Sequence, residues 1–423
     1  MHGRKRVGVP PPTAEALAAT AKKVEQYKRL SAVVLHHRAQ RTCTAQSLEL
    51  ASQLLAANPD VYTLWNYVRE QVLALAGLPL PAGCAAGAGA ASSAPVAALG
   101  EEAFAALVAA QLALTVAAIK RNPKSYPAWH HRRWLVESFR AGRGAAGAAA
   151  AAADAPAALI PLAGELALCA ELLAKDERNF HCWNYRRWVA SLDSGSGGSA
   201  EEAGALAREL AFTDEKIAQN FSNYSAWHAR TCLLQRQREA TQDAGLVAAA
   251  AIAGARWAVC ARVPFPRASV FFAHPFHSPR PTLHSAPAEL TLARKAVFTE
   301  PDDQSAWFYR RWVVDCLVLL LDGGGSSGSG AGSSSGAAAG GGEAAAAAAE
   351  AALLEDVSAL RELSLAEPAC KWPLEARAYT ILQLRRHGRG AGSGLEDEQA
   401  LFTHLCALDP RHAAYYRHIA GVS

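Results

Sequence analysis

One pattern, spoken five times, limits what this chain can fold into: a short polar turn that leads within a few residues to a Trp, with Arg three or four positions beyond it. The fullest copy is Asn122-Pro123-Lys124-Ser125-Tyr126-Pro127-Ala128-Trp129-His130-His131-Arg132-Arg133-Trp134. Asn58-Pro59-Asp60 leads to Trp65, and Asp176-Glu177-Arg178-Asn179-Phe180 leads to Trp183. Asn220-Phe221-Ser222-Asn223-Tyr224 leads to Trp227, and Glu300-Pro301-Asp302-Asp303-Gln304 leads to Trp307. Trp134, Trp188 and Trp312 extend three of the copies, so eight of the ten Trp residues fall at repeat positions and chance is excluded. An internal repeat of this period means stacked supersecondary units rather than one closed core.

Aligned on the Trp, the copies predict local structure. Four residues before it stand Ser125, Asn179, Asn223 and Asp303, all residue types that cap helix N-termini. Three before it stand Tyr62, Tyr126, Phe180 and Tyr224, with Gln304 in the last copy. Three after it stand Arg132, Arg186, Arg230 and Arg310, and four after it Arg69, Arg133, Arg187 and Arg311. Positions three and four apart share a helix face, so each helix is expected to present an aromatic beside guanidinium groups. Ahead of the turns, Leu112, Val116 and Ile119, and again Leu206, Leu210 and Ile217, recur at helical spacing. Each unit is then helix, turn, helix, and such hairpins bury their apolar stripes only by stacking.

The expected fold is therefore all-α: a solenoid of helical hairpins forming one elongated domain over 1–423, with an opening helix at 13–40 capped by Thr13. Repeat cores lie near 47–76, 104–140, 162–192, 201–237 and 289–321. A degenerate sixth lies near 353–386, where Leu374 stands in the Trp position, and a seventh hairpin begins at Leu395. The inserts 78–100, 141–161, 257–288 and 323–350, rich in Ala, Gly, Ser or Pro, read as loops or disordered linkers.

Composition removes several function classes. Basic and acidic residues nearly balance (42 against 38), and the Arg residues sit inside Trp-bearing helices, so no nucleic-acid footprint follows. Nine Cys without a C-x-x-C pair suit a reducing cytoplasm. Met1-His2-Gly3-Arg4-Lys5-Arg6 is basic without an apolar segment behind it, so no signal peptide is expected. The run Cys316 to Leu321 is too short to span a bilayer, and membrane insertion is not expected. No P-loop, nucleophile elbow or H-E-x-x-H is present. His274, His277 and His284 lie in the Pro-rich insert and read as surface loop rather than as a metal site. His130-His131 reads as one packed and one solvated imidazole. Lys124 stands ahead of a helix N-terminus, where backbone N–H groups favour an anion. It reads either as a solvated turn residue or as a phosphate ligand. On the residues alone, the chain is a helical-hairpin solenoid of the kind that binds other proteins.

The sentence Asn-x-Lys-x-Tyr-x-x-Trp-His-x-Arg-Arg-Trp resembles the signature of protein prenyltransferase α subunits. Met1-His2-Gly3-Arg4, Thr63-Leu64-Trp65-Asn66 and Asp176 to Trp183 resemble the type II (Rab geranylgeranyltransferase) branch more than the α subunit shared by farnesyltransferase and the type I enzyme. Phe221 to Ser225, Asp302 to Tyr309, and Leu408-Asp409-Pro410 with Ala414-Tyr415 do the same. The resemblance implies a right-handed crescent of hairpins wrapped around a separate β subunit, with Trp65, Trp129, Trp183, Trp227 and Trp307 as structural repeat residues. It implies transfer of geranylgeranyl from geranylgeranyl diphosphate to C-terminal cysteines of Rab GTPases presented by a Rab escort protein. The β subunit would hold the zinc ion and most of the isoprenoid pocket, and this chain would bind no cofactor itself. Lys124 matches the family lysine that reaches the diphosphate leaving group, and Tyr126 and His181 match positions lining the same face. His2 would either reach the partner's zinc or stay unengaged. Animal and plant relatives in this branch continue into a leucine-rich-repeat domain, and no L-x-x-L-x-L-x-x-N run occurs in these 423 residues. The alternatives are the shared α subunit acting on CaaX proteins, and a helical scaffold without transferase activity.

Overall fold

Several helix starts among the described residues are set by side chains that accept from orphan backbone N–H groups. A computed structural model describes residues 13–79, 99–142, 159–193, 199–240, 286–321 and 337–421. Thr13 Oγ1 accepts from Ala16 N at the head of α1 (Ala14–Ala39). Thr44 and Ser47 form a reciprocal capping box on α2 (Ala45–Ala57). The repeat position four before the Trp behaves as expected in three copies. Asn179 Oδ1 accepts from the N–H groups of His181 and Cys182 at 3.0 and 3.2 Å, Asn223 Oδ1 from Ala226 at 3.2 Å, and Asp303 Oδ1 from Ser305 at 2.8 Å. Ser125 is the correction: it caps nothing, and its hydroxyl donates instead to Pro59 O at 3.0 Å. Pro127 supplies no N–H at the second helical position, where a cap would normally bond.

The described hairpins are α2 with α3 (Tyr62–Leu75), α4 (Glu101–Arg121) with α5 (Tyr126–Phe139), and α6 (Leu162–Lys175) with α7 (Phe180–Asp193). They continue with α8 (Ser199–Gln219) and α9 (Tyr224–Ala240), then α10 (Ala286–Thr299) and α11 (Gln304–Leu321). The last two are α12 (Ala337–Ala366) with α13 (Lys371–Arg386), and α14 (Glu398–Leu408) with α15 (Ala413–Ala420). No strand occurs among the described residues. In all five clear repeats the Trp is buried, and its Nε1 donates to the carbonyl six residues earlier. The acceptors are Pro59, Pro123, Glu177, Phe221 and Pro301, at 2.7–2.9 Å. The indole thus closes its own turn while filling the core, which explains why turn and Trp recur together.

The chain falls into two compact units, 1–189 and 190–423. Within each unit the same polar network ties one repeat to the next. In the first, Arg132 of α5 grips Glu165 of α6 with two bonds of 2.7 Å, and a third nitrogen donates to Thr115 Oγ1 at 2.8 Å. Tyr185 donates its hydroxyl to the same Glu165 at 2.7 Å. In the second, Arg230 of α9 grips Glu289 of α10 at 2.7 and 2.8 Å and donates to Thr213 Oγ1, and Tyr309 donates to Glu289 at 2.6 Å. Arg310 bonds Asp356 through Nε at 3.0 Å and through Nη2.

These arginines are buried, so the guanidinium that each helix was expected to present beside its aromatic is turned onto an acid of the neighbouring hairpin. The next arginine along is also absorbed. Arg69 lies 5.7 Å from the Trp134 ring centroid, Arg133 lies 4.8 Å from that of Trp188, and Arg311 covers Tyr379 at 3.0 Å. Each stacks on the aromatic that stands five after the Trp position in the following repeat.

Two further expectations change. The tract 323–350 is not a linker throughout, because α12 begins at Ala337 with Ala346 and Ala349 buried and Glu350 accepting from Gly390 N at 2.7 Å. Alanine is the strongest helix former, and an Ala-rich stretch that looks featureless is well suited to this role. Insert 257–288 likewise yields to helix from Ala286. The α4 helix is long and apolar enough to cross a membrane by length and composition, contrary to the expectation that no segment is. Here it packs against α2 and α5, with Phe104, Val108 and Ile119 buried and the Leu112 carbonyl accepting from Arg132. His2, His274, His277 and His284 lie outside the described residues.

Candidate functional site

The turn ahead of α5 is an Asx turn. Asn122 Oδ1 accepts from Lys124 N at 3.2 Å, just as Asn58 Oδ1 accepts from Asp60 N and Asn220 Oδ1 from Ser222 N. The side chains thrown out by these turns meet different fates. Asp60 Oδ2 accepts from Asn122 Nδ2 at 2.8 Å, and Ser222 Oγ donates to Glu300 Oε2 at 2.6 Å. Lys124 is exposed and its ammonium makes no ion pair with any described residue.

Beside it stands an aromatic cluster built from two repeats. Tyr126, the first residue of α5, is 60% exposed, and Phe180, the first of α7, is 44% exposed. Between them His181 is 8% exposed, with its ring centroid 4.2 Å from Tyr126 at 89° and 3.9 Å from Phe180 at 33°. Asn179 joins the two repeats: its Oδ1 fixes the start of α7, and its Nδ2 donates to Pro123 O at 3.1 Å. His181 Nε2 is buried and has no partner in the protein. Burial, and then the Lys124 charge, lower the His181 pKa below the ordinary imidazole range. The ring is therefore neutral at neutral pH and has one unused nitrogen.

The structure thus brings Lys124, Tyr126 and His181 together at the N-terminal ends of α5 and α7. The sequence reading did not single out Phe180 as a site residue, although its place three before a Trp repeats that of Tyr126. A lysine ahead of unsatisfied first-turn N–H groups, flanked by two exposed rings, suits a ligand with an anionic head and an apolar chain. Among the described residues no group of three or more His, Cys, Asp or Glu could hold a metal ion.

The neighbouring imidazoles separate cleanly. His130 is exposed, while His131 is fully buried between Trp65 and Trp134, at centroid distances of 4.7 and 5.2 Å, and accepts from Arg69 Nε at 3.4 Å. Burial first, then Arg69 and His130, hold the His131 pKa well below 6.5. A base whose folded pKa is depressed contributes full stability above its unfolded pKa and loses it as pH falls below that value. Between pH 7 and 5 the unfolded chain takes up a proton that folded His131 refuses, which costs up to about 1.4 kcal/mol per pH unit. Thermal midpoints measured across this range should fall more steeply for the native chain than for His131→Phe. Equal slopes would remove His131 from the acid response.

Four hairpins match the family model described as the protein prenyltransferase alpha subunit repeat, over residues 108–139, 162–192, 206–237 and 286–317. The chain is 36% identical over 315 residues to the mouse geranylgeranyl transferase type-2 subunit alpha, an alignment covering 74% of this chain and 42% of that protein. The human protein of that name is 35% identical over the same length. The baker's yeast protein is 25% identical over 295 residues, covering 69% of this chain and 65% of its own. The chain thus spans less than half the length of its mammalian relatives. In fold it is similar to a chain of Candida albicans protein geranylgeranyltransferase-I complexed with GGPP, with a TM-score of 0.51, 14% identity, and coverage of 93% of this chain and 89% of that one.

Proposed function

Since the chain belongs to the protein prenyltransferase α-subunit repeat family, we propose that it is the α subunit of a heterodimeric Rab geranylgeranyltransferase. The observation that carries the catalytic part is the unpaired Lys124 ammonium grouped with Tyr126, Phe180 and His181. In the proposed reaction a C-terminal cysteine of a Rab GTPase, presented by an escort protein, attacks C1 of geranylgeranyl diphosphate. As the C–O bond breaks, negative charge gathers on the departing diphosphate. Lys124, held ahead of the α5 N-terminus, stabilises that charge through a fixed donor. His181, neutral, offers one hydrogen bond to the substrate, and the Tyr126 and Phe180 rings exclude water from the apolar side. Zinc, which supplies an activated thiolate, belongs to the β subunit in this reading, and no step is assigned to a metal on this chain. The complex works in the cytoplasm on proteins bound for membranes.

The test is co-expression of this chain with the type II and, separately, the type I β subunit of its own organism, read by co-elution on size exclusion. A 1:1 complex with the type II subunit that prenylates an escorted Rab is the expected result. Partnering with the type I subunit would move the substrates to CaaX proteins, and elution alone in both cases would leave a scaffold.

A further inference from the structure

The residues around Lys124 are anchored to neighbouring turns, while Lys124 itself is not. Asn122 bonds in two directions: Oδ1 accepts from Lys124 N at 3.2 Å, and Nδ2 donates to Asp60 Oδ2 at 2.8 Å in the preceding repeat's turn. Asp60 is held in turn by its own N–H on Asn58 Oδ1 at 3.2 Å. Pro123 O accepts from Trp129 Nε1 at 2.9 Å and from Asn179 Nδ2 at 3.1 Å. Ser125 Oγ donates to Pro59 O at 3.0 Å, and that same carbonyl accepts Trp65 Nε1 at 2.7 Å. Residues 122, 123 and 125 are therefore pinned by three successive repeats, and the lysine between them has its backbone fixed and its side chain free of ion pairs.

We infer that Asn122 and Asp60 are positioning residues for Lys124, with Asp60 acting through Asn122 across the repeat boundary. The inference rests on the reading of Lys124 as the group that meets the diphosphate. Its physical basis is that a charged donor stabilises a transition state only where it is already aimed, and displacement by an ångström forfeits much of the effect. Asn122 suits the task because its amide oxygen closes the turn while its amide nitrogen reaches the carboxylate of the turn before. A single aspartate at 122 would keep the first bond and set two carboxylates face to face. A reciprocal exchange, Asp60→Asn with Asn122→Asp, restores a donor opposite an acceptor.

The experiment compares steady-state kinetics of the full heterodimer carrying Asn122→Asp, the reciprocal double exchange, Lys124→Ala, and Lys124→Ala combined with Asn122→Asp, with thermal midpoints recorded for each. Asn122→Asp should lower kcat by about tenfold with little change in the KM for the isoprenoid diphosphate, by the sensitivity of charge stabilisation to placement. The reciprocal exchange should recover kcat to within about threefold of the native enzyme, and Asn122→Asp should cause no further loss once Lys124 is gone, as coupled positions do. Native kcat in Asn122→Asp would overturn the inference. So would an exchange that fails to recover kcat, whether or not the thermal midpoint returns. Lys124→Ala separates the two failures. An unchanged kcat there would sink the catalytic reading and the positioning role with it, whereas a lost kcat there beside a native one in Asn122→Asp would sink the positioning role alone.

Discussion

Replacing Glu165 by Ala is expected to destabilise the chain by about 3–5 kcal/mol, the cost of stranding one member of a buried ion pair. Both partners have side-chain exposures of only 5%, so the Arg132 guanidinium would lose its counter-charge where water cannot replace it. Thr115 Oγ1 and the Leu112 carbonyl would still accept from Arg132, but neither carries charge. Tyr185 would lose its acceptor at the same time. Denaturant midpoints of the native chain and of Glu165→Ala measure the effect. An Arg132→Met/Glu165→Leu pair should recover much of the loss, because an apolar pair of similar volume carries no desolvation penalty. Glu289 holds the matching place, gripped by Arg230 and accepting from Tyr309, but Glu289→Ala should cost less, because Asp214 at 2.9 Å leaves Arg230 a counter-charge. A cost below about 1 kcal/mol at Glu165 would reduce its network to the standing of a surface pair.

That symmetry shows what was legible in the sequence and what was not. The Trp and its turn were visible because one side chain serves both, bonding the carbonyl six residues back wherever it occurs. The arginines were equally visible, yet their direction was not. Two consecutive arginines look alike as letters, but the first turns inward to an acid on the next hairpin and the second lies on that hairpin's aromatic ring. The acid lies 33 residues away for Arg132 and 59 for Arg230, because inserts of different length intervene. No fixed spacing marks the pair, and only stacking brings it together. The start of α12 was hidden for a different reason: Ala and Gly in succession carry no apolar periodicity, although alanine alone favours helix.

The site was legible in its parts rather than its geometry. Lys124 and Tyr126 stand two residues apart in one turn, so their proximity follows from the sequence. His181 is fifty-odd residues further on, beyond an insert, and reaches Tyr126 because Asn179 binds the α7 start to the Pro123 carbonyl. The same bond brings Phe180 beside them, marked in the sequence only as the aromatic three before Trp183. Asn122 was plain as a turn residue, but its second bond depends on Asp60 one repeat earlier.

Lys124→Ala in the assembled heterodimer should lower kcat by about 10²–10³-fold, the usual effect of removing one preorganised donor from developing negative charge. The same substitution should move stability by less than about 0.5 kcal/mol, because an exposed side chain that makes no ion pair contributes little to the fold. This combination is what distinguishes the site from the repeat framework. Glu165→Ala unfolds the hairpins and lowers activity only as folded enzyme disappears, whereas Lys124→Ala leaves the complex intact and slows each turnover. Lys124→Arg should recover part of the rate, since it restores charge with a longer and differently shaped head. Single-turnover assays with escorted Rab and preloaded geranylgeranyl diphosphate isolate the chemical step from product release. A rate within threefold of native in that assay would show that the diphosphate leaves without help from this lysine, and the charge it needs would then have to come wholly from the β subunit.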